Sequence, residues 1–302
     1  MSTNKKASRG KPRTVSYSAL NITLHPHPTK HTYVDFFYYI QEEINKFLTL
    51  KRNTCIYLYN LQPINPDNEL EGLTGTFIKC TDLSVNEWFD FENQTIAEES
   101  EVNSKVKIPN TYKPNAKFFD FVFYPKKHLL VFEFSDKHGS MSIHSLKEYF
   151  EVIFKRQDFI DRFKQGFVSS VTDDEKIKTI LSSKKLLKLD IVLVKPNPDD
   201  LSDITARILG NLEENHAKKM EIITTADDNQ YLQPNQQLQD LSKVAANNGV
   251  VNAIIENEHG KSVPMSTTSI PKIKKEIYYT NETSQLESLL RVARKFLNEF
   301  LL

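Results

Sequence analysis

The chain is expected to be an α+β protein, with a mixed, largely antiparallel sheet, helices packed on it and an amphipathic helix at the C-terminus. Three observations point there. Residues 118–125 (F-F-D-F-V-F-Y-P) and 128–135 (H-L-L-V-F-E-F-S) are apolar, β-rich runs separated only by Lys126 and Lys127, the pattern of a central hairpin. Strand and helix patterns are interspersed with hairpin-length connections, unlike the strict alternation of a doubly wound parallel sheet. The last stretch, 284–302, carries Leu286, Leu289, Leu290, Ala293, Phe296, Leu297, Phe300 and Leu301 at helical spacing.

Residues 1–14 contain Lys5, Lys6, Arg9, Lys11 and Arg13 with no acid and no apolar periodicity, and read as a disordered basic tail. Residues 15–24 alternate as a strand, closed by His25-Pro26-His27-Pro28. Residues 33–50 place Phe36, Phe37, Ile40, Ile44, Phe47 and Leu48 on one helix face. Two strands follow at 54–61 and 73–83, with Gly75 marking a bulge or a close approach. Residues 84–117 are irregular, with Trp88, Phe89 and Phe91 among acids, and read as an ordered loop over the sheet. The six acids of 85–101 sit beside the basic stretch 105–128, which implies mutual neutralisation.

After the hairpin, 142–167 reads as one or two helices, capped at Ser142 or by the Ser145/Glu148 box. Residues 186–194 form the most strand-like run in the chain and suit a strand covered on both faces. Then come a helix at 201–215, a strand at 220–225, a helix at 238–246, a hairpin of 249–256 with 262–267, and a strand at 276–279. The terminal helix docks on the domain or makes a homodimer contact. The organisation is a tail (1–14), a sheet domain (15–195) and a continuous α+β region (196–302).

Composition excludes several functions. Lys and Arg number 39 and so do Asp and Glu, so no global field attracts nucleic acid. Only Cys55 and Cys80 are present, too few for a four-thiolate zinc site. No apolar run approaches the ~20 residues of a membrane span, and the N-terminus lacks the apolar core of a signal peptide. The expectation is a cytoplasmic protein. No P-loop, G-x-G-x-x-G or G-x-S-x-G occurs. His25, His27 and His31 lack a carboxylate or thiolate companion, so no metal is assigned to them.

Asp120 and Glu133 are the chemical oddity, each set between phenylalanines. Their order, strand with Asp120, strand with Glu133, helix, strand at 186, is that of metal-dependent nucleases with a PD-(D/E)xK core. Two such carboxylates could hold Mg²⁺ or Mn²⁺, with a lysine orienting water. The lysine position holds Ser135, and Lys137 lies four residues beyond Glu133. The other reading is that both acids mark the solvent face of a hairpin. Anion contacts are assigned to Lys137, His138 and the backbone of Gly139 and Ser140 before a helix, with Lys113, Lys126, Lys127, Arg291 and Arg294 as further phosphate partners.

G-T-F at 75–77, W-F at 88–89, I-P at 108–109, K-P-N at 113–115, F-V-F-Y-P-K-K-H at 121–128, F-E-F-S at 132–135 and the helix at 142–154 together resemble an uncharacterised prokaryotic family, a domain of unknown function of similar length. The resemblance brings no catalytic residues. It implies a bacterial accessory-genome setting, such as phage defence. The resulting expectation is a non-catalytic sensor or adaptor that binds nucleic acid or a partner protein and needs no cofactor. The alternatives are a metal-dependent nuclease using Asp120, Glu133 and Lys137, and an inert scaffold subunit.

Overall fold

The protein is described by a computed structural model covering residues 10–44, 46–83, 88–105, 109, 111–196, 203–269 and 271–300. The chain starts with β1 (Pro12–His25), α1 (His31–Glu43), β2 (Leu48–Thr49), β3 (Thr54–Pro63) and β4 (Leu73–Thr81). A small hairpin, β5 (Phe89–Asp90) and β6 (Thr95–Ile96), and α2 (Glu99–Lys105) fill the irregular stretch. The central hairpin is β7 (Lys117–Tyr124) and β8 (Leu129–Asp136), followed by β9 (Gly139–Ser140), α3 (Ile143–Ile153), α4 (Gln157–Phe163) and β10 (Gln165–Ser170). Next come α5 (Asp174–Leu181), β11 (Leu186–Val194), α6 (Asp203–Glu214), β12 (Lys219–Thr225) and α7 (Gln236–Asn247). The chain closes with β13 (Gly249–Glu256), β14 (Ser262–Ser266), β15 (Lys274–Tyr279) and α8 (Gln285–Phe300).

The large sheet runs β10-β1-β8-β7-β4-β3-β2, with β15 added beside β1 and β9 beside β8. Its pairings are antiparallel, with Phe121 opposite Phe132 and Val122 opposite Val131 at its centre. Strand alternation sends Phe119, Phe121, Phe123, Leu130 and Phe132 to one face. There they meet Phe36, Phe37 and Ile40 of α1 and Leu146, Phe150 and Ile153 of α3 in an aromatic core. Phe37 stacks on Phe123 at 4.3 Å between ring centroids, and Phe77 stacks on Phe121 at 4.5 Å. The opposite face carries Val15, Tyr17, Val122 and Val131, covered by Leu289, Val292, Ala293 and Phe296 of α8. The apolar stripe of the last helix is therefore used within the chain. A second sheet, β12-β11-β13-β14, packs against α6 and α7 around Leu189, Ile191, Leu193, Ile208, Leu212 and Ala245.

Most expected elements are present, and the differences have physical causes. β1 starts at Pro12, inside the stretch assigned to the tail, because Arg13 pairs with Tyr278 of β15; residues 1–9 lie outside the described residues. α1 stops at Glu43 rather than continuing to residue 50, since Leu48 is taken into the ladder opposite Ile56. The aromatic stripe of 142–167 does not stay helical to its end. Lys164 turns the chain at φ +67°, and Phe167 belongs to β10, the edge partner of β1. β11 is covered on one face only, its alternate residues being half-exposed. Gly75 is a close-approach site, where a Cβ would come within 2.8 Å of the Phe121 ring.

Candidate functional site

Asp120 and Glu133 share the sheet face that carries Val122 and Val131, and α8 lies over that face. They do not look into solvent, as one sequence reading had it: Glu133 is 2% exposed. The two carboxylates meet at one group. Gln285 Nε2, at the start of α8, donates to Asp120 Oδ2 at 2.8 Å and to Glu133 Oε2 at 3.0 Å. Thr76 Oγ1 donates to Asp120 Oδ1 at 2.8 Å, and the Asp120 N–H donates to Glu133 Oε2 at 3.2 Å. Arg13 completes the cluster, donating to Gln285 Oε1 and to Asp136 Oδ2, the latter at 2.9 Å. Tyr17 Oη and Ser288 Oγ lie 3.1 Å apart nearby.

Burial, reinforced by the Asp120 charge, pushes the Glu133 carboxyl up to about 7, while the Asp120 N–H and Arg13 pull the other way. Its Oε1 is buried without a hydrogen-bond partner. Burial also raises Asp136, but the His138 N–H and the Arg13 guanidinium outweigh it and hold that carboxyl low. Neither carboxylate bonds a lysine among the described residues. The strand at 186, fourth in the nuclease-like order, is β11 and belongs to the other sheet.

Lys137 and His138 are exposed in the turn between β8 and β9. The backbone donors there are already occupied, because Asp136 Oδ1 accepts from His138 N at 2.7 Å and Gly139 N at 3.1 Å. The helix that follows is capped by Ser142, whose Oγ accepts from Ser145 N at 3.0 Å. Lys113 is committed to Asp82 at 2.7 Å, and Arg291 to Glu276 at 3.3 Å. Lys126 and Lys127 occupy the β7–β8 turn; Arg294 of α8 acts on Tyr124 at that end of the hairpin. Lys126, Lys127 and Arg294 thus share one end of the hairpin, with Arg291 about one turn away on α8, while Lys113 is held at Asp82.

His25 and His27 gather with His128, the His27 ring standing 6.0 Å and 5.5 Å from the other two. His128 stacks on Tyr33 at 4.0 Å. Burial lowers His25 to about 4 and His128 to about 3. Among the described residues, no group of three or more His, Cys, Asp or Glu side chains is placed to hold a metal ion.

A site not anticipated from the sequence lies where the two sheets meet. The junction is made by side chains of β1 and of the segment just after β10 bonding the end of α7: Thr172 Oγ1 donates to Ala246 O at 2.9 Å and Asn21 Nδ2 to Asn247 O at 3.1 Å. Beside it runs a groove of about 680 Å³, floored by Phe154, Phe167, Val168, Val192, Val194 and Val250. Lys147, Lys155, Lys164 and Lys218 line it, against the single acid Glu151. They come from α3, the turn after it, the turn after α4, and the approach to β12. Burial depresses the Lys147 ammonium, with Glu151 pulling the other way. The Lys218 ammonium stands 6.0 Å from the Phe167 ring centroid. Two glycines shape the walls: a Cβ at Gly166 would overlap the Phe154 ring, and one at Gly249 (φ +153°) would overlap the Val192 carbonyl. No periodic signal joins one lysine of a helix with three from separate connections; only adjacency in the fold reveals the set.

A domain of unknown function, DUF4747, matches residues 13–294. The chain belongs to the DUF4747 family. The match spans both sheets and α8 up to Arg294, so the acid cluster and the lysine groove both lie inside the DUF4747 region. No curated protein matches the chain. No helix among the described residues is long and apolar enough to cross a membrane.

Proposed function

We propose that this DUF4747 protein is a non-catalytic binding component that holds a single nucleic-acid strand in the groove between its sheets. The observation that carries this reading is the set of four lysines around a partly aromatic floor with one acid among them. The chain as a whole balances its charge, so the excess is local. Lysine ammoniums supply phosphate contacts, and the half-buried ring of Phe154 offers a surface for a base. Lys155 and Lys218 are exposed and hold no ion pair among the described residues, which leaves them available. In the phage-defence setting that the family resemblance implies, such a component would report foreign nucleic acid.

Anisotropy of a labelled single-stranded oligonucleotide across a salt series tests the reading. Three or four phosphate contacts predict a slope of log K against log salt of about −2 to −3. Lys155→Glu with Lys218→Glu should weaken binding at least tenfold and flatten that slope. Absence of binding at low salt, or a double variant that binds like the parent, overturns it.

The meeting of Asp120 and Glu133 favours a second reading, a Mg²⁺- or Mn²⁺-dependent nuclease. In it Gln285 stands where the cation would have to sit, so α8 would have to yield at its first turn. Cleavage in Mg²⁺ or Mn²⁺ that is lost in both Asp120→Ala and Glu133→Ala would establish it; no cleavage, or cleavage unchanged in both, removes it.

A further inference from the structure

The β5–β6 hairpin carries an unusual exposed surface. Phe91 is 85% exposed, Ile96 55% and Phe89 51%, and the two phenylalanine rings meet edge-on at 5.2 Å. Rings displayed together on a tip mark an interaction site more often than a solvated loop. The same tip is acidic. Asp90, Glu92 and Glu98 make no ion pair among the described residues, the Glu101–Lys105 contact at 2.5 Å being the nearest neutralisation. Lys105 acts on Asp90 and Glu92 at longer range and Lys113 is committed to Asp82, so the tip's three acids outnumber the one described lysine beside them.

The lysine groove is the complementary surface, with an apolar, aromatic floor and a cationic rim. We infer that the acidic aromatic tip of one copy of this chain docks into the lysine groove of a second copy. The tip stands away from its own groove in this fold. It leaves the large sheet at β4, while the groove borders β10, four strand spacings away across that sheet. That separation is about 19 Å, and the tip contributes no residue to the groove's lining. Tip and groove are different patches, so the contact is heterologous and propagates head to tail into rings or chains. The inference rests on the groove being the anion-accepting surface of the proposed function. It adds a regulation: nucleic acid and the neighbouring copy compete for one site, and occupation by nucleic acid disassembles the oligomer.

Sedimentation velocity across protein concentration and salt reads the association. The parent chain is expected to associate at low salt, with its average mass at least doubling, and to dissociate as salt rises. Phe89→Ser with Phe91→Ser removes the tip, and Lys155→Glu with Lys218→Glu removes the groove; each double variant is expected to be monomeric. An equal mixture should form a one-to-one pair that grows no further, since each partner keeps one working half. A parent chain that is monomeric at low salt, variants that assemble like the parent, or a mixture that stays monomeric overturns the inference. Oligonucleotide binding is read separately. The tip variant should bind an oligonucleotide as tightly as the parent or more tightly. If neither binds while the mixing result holds, the nucleic-acid reading falls and the self-docking contact stands.

Discussion

The buried Glu133 makes a signed and sizeable prediction about stability against pH. The perturbation is Glu133→Gln, which keeps the side chain's shape and fixes it neutral. An ordinary glutamate ionises near 4.5, and Glu133 in the folded chain at about 7. The folded state therefore holds this proton more tightly than the unfolded state. The resulting stabilisation is complete below about pH 4.5 and is lost as pH rises through 7. Between about pH 5 and about pH 8 the loss integrates to about 2.5 kcal/mol. The variant cannot lose what it does not titrate. Urea denaturation of parent and variant across this range measures the difference in unfolding free energy, and other groups cancel where both proteins share them. The variant should gain about 2.5 kcal/mol on the parent as pH rises, whatever its offset at low pH from an unpaired amide in place of Oε1. A difference that stays flat across the range would refute the burial of an ionisable Glu133 beneath α8.

Three other expectations concern the frame around the site. His25 and His128, held at about 4 and about 3, have the opposite sign: their stability is full above 6.5 and is lost as pH falls, each costing about 2 kcal/mol by about pH 5. His128→Asn, suited to φ +55°, should shift the acid-unfolding midpoint to lower pH, read by far-ultraviolet circular dichroism. Phe296→Ala empties the contact of α8 with the sheet and should cost about 3–5 kcal/mol in a denaturant titration. Lys113→Ala leaves the buried Asp82 without its cation and should cost up to about 3 kcal/mol, with Lys113→Arg restoring part of the loss in the same assay.

The central hairpin was legible because period-two alternation of Phe with Val and Leu is a local property of the chain, and the same holds for the stripes of α3 and α8. Asp120 and Glu133 stood out for the same reason, as two acids interrupting aromatic runs. What they face was not legible. Gln285, 165 residues from Asp120, arrives there only because α8 folds back over the face that an isolated hairpin would present to water. β10 was hidden inside a stripe whose spacing continues past Phe159 and Phe163 to Phe167. The break at Lys164 is a single positive-φ residue, which no apolar count registers.

Alternation and helical spacing, read along the chain, thus determined the class of fold, the core aromatics of its hairpin and the amphipathic character of its last helix. Such patterns follow from backbone geometry and burial, which act on neighbours in sequence. Tertiary structure alone decided that two acids close on one glutamine, that α8 spends its stripe on its own sheet, and that four scattered lysines line one groove. Those are meetings between residues far apart along the chain. They are set by how sheets and helices stack, a relation on which residue order is silent.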